Sequence, residues 1–207
     1  MMTDCFALLD EPRRPWLDAE ALKEKFLARA AALHPDRFHG SSPSEKEEAS
    51  RRYAELNGAH ARLRDTKERL AHLLELELGR RPRDVQQVPA ATMDLFFQVG
   101  PVCRETDQLL AGRGQVTSPL LKVQSFERGL ELGEKISGLQ QVLTKELERI
   151  EAQLQTLNPA WDAAPAVGSP HRTEKLPLDR VEALFRESSF LARWRGQLQE
   201  RFVQLAL

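Results

Sequence analysis

Apolar residues recur at helical spacing along most of the chain. From Asp18, a plausible N-cap, the residues Leu22, Phe26, Arg29, Ala30 and Leu33 fall on one face until Pro35 ends the pattern, so a helix is predicted over 18–33. A shorter apolar segment precedes it. Asp4 to Asp10 carries Phe6 and Leu9, and Pro12 and Pro15 follow, which predicts a docking helix of about two turns. Residues 35–43 are breakers and small polar residues and predict a loop. Beyond it, Tyr53, Leu56, His60 and Leu63 predict a helix from about Ser44. A further helix is predicted over Thr66 to Leu78, ending at Gly79, the residue type preferred just past a helix C-terminus.

Arg80 to Pro89 combines two prolines with clustered charge and reads as a linker between a head and a longer tail. In the tail, Ala91 to Leu110 has helical character, with a kink or break expected at Gly100-Pro101. The longest periodic segment starts at Pro119 and runs through Phe126, Leu130, Ile136, Leu139, Leu143, Leu147, Ile150, Leu154 and Leu157. Asn158 to Pro177 holds four prolines and predicts a mobile loop. A last helix is expected over Leu178 to Leu205, with Val181, Leu184, Phe185, Leu191, Trp194, Leu198, Phe202 and Leu205 on one stripe. Three helices with one apolar face each bury those faces against one another, which predicts a three-helix bundle. Isoleucine occurs only at 136 and 150 and valine is scarce while Leu and Ala dominate, so the fold class expected is all-α.

Composition narrows the function classes. At 207 residues the chain forms one domain or two small ones, and 41% hydrophobic with 29% charged residues is ordinary for a folded globular protein. No apolar run approaches the roughly 18 residues of a membrane helix, and Asp4 stands where a secretory signal carries basic residues, so no membrane span and no cleaved address are expected. Thirty Lys and Arg against 31 Asp and Glu leave a formal charge of -1, which gives no global attraction for nucleic acid or an anionic membrane. Cys5 and Cys103 are far apart and neither lies in a Cys-x-x-Cys pair, so no metal, no cofactor and no disulfide is expected, and the compartment expected is the reducing cytoplasm.

The chemistry concentrates in "LDAEALKEKFLARAAALHPDRF", Leu17 to Phe38, where an amphipathic helix ends in His34-Pro35-Asp36. Proline forces the helix to stop and leaves an imidazole and a carboxylate at a rigid corner, where they engage a partner's hydrogen-bonding groups. This stretch resembles the J domain of DnaJ-type co-chaperones. More of the chain resembles the HscB-type J proteins of iron-sulphur cluster assembly: "CFALLDEP", "LNGAHARLRDTKERLAHLLELELG", "WDAA" at Trp161 to Ala164, and "RVEALFRESSFLARWRGQLQERF" at Arg180 to Phe202, in that order.

The resemblance implies a J domain over 1–79, a linker over 80–89 and a C-terminal bundle over 90–207. It implies a co-chaperone, not an enzyme. His34, Pro35 and Asp36, helped by Lys25, Arg29 and Arg37, meet a DnaK/HscA-like ATPase chaperone and stimulate its hydrolysis, while Leu95, Phe96, Val99 and Phe190 hold an iron-sulphur cluster scaffold protein. From spacing alone these four apolar residues are equally ordinary core positions; if they form a patch, Phe96 and Phe190 are expected to be partly exposed and Leu95 more buried. Two departures stand out. Gly100, Pro101 and Cys103 lie where the family's patch has acidic neighbours, and Ala28, Ala30, Ala31 and Ala32 lie where J domains carry basic residues. The alternatives are a helical adaptor with another client or without chaperone coupling, and a metal-dependent hydrolase built on His34, Asp36 and His39, for which no further His or Asp lies at ligand spacing.

Overall fold

The computed structural model describes residues 3–38, 40–82, 87–113 and 118–206, and of Pro35 and Asp36 the backbone alone. No strand occurs among the described residues, and the protein is all-α. Its helices are α1 (Cys5–Leu8), α2 (Ala19–Leu33), α3 (Pro43–Arg64), α4 (Thr66–Leu78), α5 (Met93–Arg113), α6 (Pro119–Asp162), α7 (Arg172–Lys175) and α8 (Leu178–Ala206). They divide between two compact units, Met1–Arg83 with Glu151–Phe185, and Asp84–Ile150 with Arg186–Leu207. Helices α6 and α8 therefore each contribute residues to both. Part of the 80–89 segment, residues 83–86, lies outside the described residues.

In the first unit local chemistry sets the helix ends. The Asp18 carboxylate accepts the Ala21 N–H at 2.8 Å, Asp65 accepts from Glu68 N–H at 2.9 Å, and Ser42 forms a reciprocal capping box with Glu45 ahead of Pro43. Gly79 ends α4 in the left-handed conformation that glycine adopts at least cost. The core gathers Phe6, Leu9, Leu22, Leu63, Leu70, Leu73, Leu74, Leu154 and Leu184, all essentially without solvent contact. Helix α2 packs on α3 with Phe26 stacked on His60 at 4.1 Å.

Two buried arginines organise this unit, and the hydrophobic pattern gave no sign of either. Arg69 donates to the carbonyls of Pro15 (2.9 Å) and Leu63 (3.0 Å) and forks onto the Glu151 carboxylate of α6 (2.8 and 3.0 Å). Arg172 of α7 makes a two-pronged pair with Glu77 of α4 at 2.8 and 2.9 Å, with both side chains buried. The loop expected over Asn158 to Pro177 is accordingly shortened to 163–171. Helix α6 continues through Pro159 to Asp162, Asn158 is buried with its amide exchanging hydrogen bonds with the Trp16 backbone, and Arg172 anchors the remainder.

The second unit is built from α5, the first part of α6 and the last part of α8. Leu95, Val99 and Cys103 of α5, Leu132, Ile136 and Leu143 of α6, and Leu191, Trp194 and Leu198 of α8 form its interior. Phe126 and Leu130, expected on the buried stripe of α6, are instead exposed, because the three-four spacing read backward from Ile136 lands on Leu132. Phe202 is likewise exposed. Helix α5 also runs unbroken through Pro101, where a kink or break was expected. Proline withholds one N–H, from the carbonyl of Phe97, but both residues lie on the solvent side of α5, where a lost helical hydrogen bond costs least.

Candidate functional site

The corner at the end of α2 is closed by a short 3-10 turn, Pro35–Phe38. His34 leaves the helix with extended backbone, its carbonyl accepts the Arg37 N–H at 3.0 Å, and the Phe38 carbonyl accepts the Ser41 N–H at 3.0 Å, so backbone hydrogen bonds hold the described residues between α2 and α3. The His34 imidazole is exposed and meets the Tyr53 ring of α3 edge-on at 5.8 Å. Local chemistry thus presents one imidazole at a hydrogen-bonded corner. The side chains of Pro35 and Asp36, and residue His39, lie outside the described residues.

The three cations expected beside this corner are each engaged within the molecule. Lys25 donates to the carbonyl of Asp10 at 2.8 Å and pairs with Glu11 at 2.8 Å, and Arg29 approaches Asp10 at 3.8 Å. Asp10 has positive φ, a conformation that Asp tolerates better than most residues, and Lys25 holds that turn. Arg37 reaches back to the Ala31 carbonyl at 3.4 Å, near the α2 C-terminus. What α2 leaves outward instead is Leu27, about half exposed, with Ala28, Ala31 and Ala32. Leu27 went unmarked in the sequence because it sits off the buried stripe, and an exposed leucine has no signature until the stripe is known.

The four residues expected to form the client patch separate into foundation and surface. Leu95, Val99 and Phe190 are buried, whereas Phe96 is 42% exposed. Phe190 differs from the expected partial exposure because Trp194 covers it at 5.5 Å and the Arg193 guanidinium lies over its ring at 5.2 Å. Phe96 leans on Trp194 at 6.4 Å and meets Phe97 edge-on at 5.6 Å. Phe97, which the sequence reading did not single out, is the most exposed aromatic here at 65%, and Met93 continues the surface one turn earlier. The adjacent Phe96-Phe97 pair was the available signal: two large apolar neighbours 100° apart cannot both face the narrow core of a helix that already buries Leu95 and Val99.

Neither cysteine is poised for chemistry. Burial pushes the Cys103 thiol up, with Arg201 opposing, and burial likewise raises Cys5 against Arg62, so both stay protonated near neutral pH. Among the described residues no group of three or more His, Cys, Asp or Glu side chains is placed to hold a metal ion.

No protein-family model matches the sequence. The chain is 26% identical over 174 residues, 74% of its length and 98% of the relative's, to the co-chaperone protein HscB homolog of Mannheimia succiniciproducens. It is 40% identical over 72 residues to the HscB homolog of Bordetella petrii, a match covering 35% of this chain and 42% of that one. Among solved structures, chaperone HscB from Vibrio cholerae aligns over 98% of this chain and 99% of that chain with TM-score 0.55 at 19% identity. Human co-chaperone protein HscB aligns over 96% of this chain and 82% of that chain with TM-score 0.57 at 13% identity. These two structural likenesses show that the fold is shared.

Proposed function

We propose, from the likeness to curated HscB co-chaperones, that the chain is an HscB-type co-chaperone and a two-ended adaptor that catalyses no chemistry of its own. Residues 1–79 act as the J domain, 80–89 as the link and 90–207 as the client-holding bundle. The corner at His34, Pro35 and Asp36 engages a DnaK/HscA-like ATPase chaperone and stimulates its hydrolysis, with Lys25, Arg29 and Arg37 at the same contact. The bundle holds an iron-sulphur cluster scaffold protein on the α5 surface, with Phe96 touching the client and Leu95, Val99 and Phe190 supporting it. The setting is the cytoplasm. Among the described residues no helix is long and apolar enough to cross a membrane.

The observation that carries this reading is the exposed His34 imidazole on a hydrogen-bonded corner between two packed helices, since polar loop residues on a rigid scaffold suit recognition. The test is the ATPase rate of the DnaK-like chaperone with and without the chain. Wild type is expected to accelerate hydrolysis, and His34→Gln or Asp36→Asn to abolish the acceleration with melting unchanged within about 0.5 kcal/mol. Normal stimulation by either variant reduces the corner to a connector. One observation favours a second reading, an adaptor without chaperone coupling: Lys25 and Arg29 are both drawn toward the Asp10-Glu11 turn, which compensates the charge of the α2 face. In that case wild type itself leaves the ATPase rate unchanged.

A further inference from the structure

The exposed row of α5 carries a charge pattern as well as an apolar one. Met93, Phe97, Gly100 and Arg104 follow one another at helical spacing along the solvent side, opposite the buried row Leu95, Val99 and Cys103. Arg104 folds back along this row. Its Nη1 lies 3.5 Å from the point a Cβ on residue 100 would occupy, so the guanidinium turns back toward Gly100, one turn beyond Phe97 on the same row. From α8, Arg193 brings a second exposed guanidinium over the Phe190 ring, next to Trp194 on which Phe96 leans.

Neither Arg104 nor Arg193 has a carboxylate partner among the described residues, whereas several other charges of this unit are paired. Arg201 pairs with Asp107 at 2.8 Å, Arg149 pairs with Glu187, and Glu105 pairs with Lys135 and Arg128. Asp94 lies in the first turn of α5, on an adjacent row. The surface is therefore an aromatic patch with one carboxylate, Asp94, in its first turn and two cations, Arg104 and Arg193, without an ion-pair partner among the described residues.

We infer that the protein surface docking on this face is an apolar projection flanked by carboxylates, which Arg104 and Arg193 engage while Phe96 and Phe97 take the apolar contact. This rests on the reading that α5 is the client face, and it specifies the charge the client must carry there. Charge complementarity fixes the occupant, because like charges across an interface disfavour a partner. A second copy seated face to face would set these arginines against each other. Two unpaired guanidiniums on a chain of formal charge -1 are too few to follow a nucleic-acid backbone. Another exposed apolar concavity of this unit, about 360 Å³ and lined by Phe126, Leu130, Phe202 and Leu205, lacks such a rim among the described residues, since the cation lining it, Arg113, donates to the carbonyls of Gln204 and Leu205.

The test is binding of the cluster scaffold protein to the full chain, measured by calorimetry at low and high salt. The comparison set is wild type, the double variant Arg104→Glu with Arg193→Glu, the double variant Arg104→Lys with Arg193→Lys, and Phe97→Ala. Charge reversal is expected to weaken binding about ten-fold or more at low salt, with the deficit shrinking as salt screens the rim, while the lysine variant retains most of the affinity. Phe97→Ala is expected to weaken binding at both salt concentrations. If charge reversal leaves affinity unchanged or raises it while Phe97→Ala still weakens it, the acidic-partner inference is overturned and the client reading of α5 survives. If wild type binds no scaffold at either salt concentration, both fall. Self-association of wild type that Phe97→Ala abolishes, with no scaffold binding, assigns the face to a second copy and likewise overturns the inference.

Discussion

Around His34 the cations Lys25, Arg29 and Arg37 are drawn into the protein's own turns and ion pairs, whereas two guanidiniums of the bundle face, Arg104 of α5 and Arg193 of α8, meet no carboxylate among the described residues. Both faces lie on packed helices and both project polar chemistry into solvent, yet they do so differently. The corner is fixed by backbone turns and offers an imidazole, suited to a geometric contact. The bundle face offers open aromatic area and unmatched charge, suited to an interface whose strength lies in desolvated anchors and whose selectivity lies in its rim. The lesson is that cations cannot be assigned to a partner by their position on a helix alone: Lys25 and Arg29 were expected to serve the chaperone, and each has an internal acidic neighbour.

The largest effects are expected where the two regions are held up rather than where they are displayed. Phe190→Ala should cost about 3 to 5 kcal/mol in denaturant unfolding, because it empties a packed site beneath Trp194 and Arg193, while Phe97→Ala should fall within about 0.5 kcal/mol. Equal costs would erase the distinction between foundation and surface. In the first unit, Arg172→Ala should cost a comparable amount, about 3 to 5 kcal/mol, because it strands the buried Glu77 carboxylate. A variant that melts like wild type would show that this anchor is dispensable.

A smaller, pH-dependent effect belongs to the first unit. The Nε2 of buried His72 accepts the Cys5 N–H at 3.0 Å, its Nδ1 has no hydrogen-bond partner among the described residues, and its ring stacks on Phe6. Burial first, and Arg62 second, hold its pKa below the ordinary value of 6.5, with Arg13 adding to the lowering and Asp4 and Glu75 opposing it. The neutral form is the one the fold favours. Its contribution is therefore fully present above pH 6.5 and is lost as pH falls from there through the folded pKa, since the unfolded chain takes up the proton first. His60, lowered by burial and Arg64, adds a loss of the same sign. Unfolding free energy should fall as pH drops below about 6.5, with a shallower slope in His72→Gln, which keeps an acceptor for Cys5. An unchanged slope would remove His72 as a cause.

The smallest effect tests the charge contrast itself. Lys25→Ala with Arg29→Ala should change the affinity for the chaperone only slightly, more at low salt than at high salt if the remaining field steers the encounter. A large loss at every salt concentration would mean that these residues pack against the chaperone, and the contrast with α5 would narrow.

The helices were legible wherever one apolar face met one core. Thr66 to Leu78 with its Gly79 cap, and Asp18 ahead of Ala19–Leu33, agree with the structure to within a residue, because capping chemistry is local. Asn158 to Pro177 was misread because proline content says nothing of tertiary partners: Asn158 bonds the Trp16 backbone and Arg172 bonds Glu77, both across long sequence separations. A break at Pro101 is absent because the helix forgoes one N–H there, on its exposed side. Phe97 escaped notice because helical spacing finds what is buried, and exposure is known only once the buried row is fixed.

The adaptor claim is tested most directly by how much cluster scaffold the immobilised, ATP-loaded chaperone captures above its own binding. Wild-type chain is expected to raise the capture, while His34→Gln and Phe97→Ala each fail to do so. A mixture of the two variants is expected to fail as well, because one molecule must hold both partners. Capture restored by the mixture, or raised as well by either variant alone as by wild type, would contradict the account.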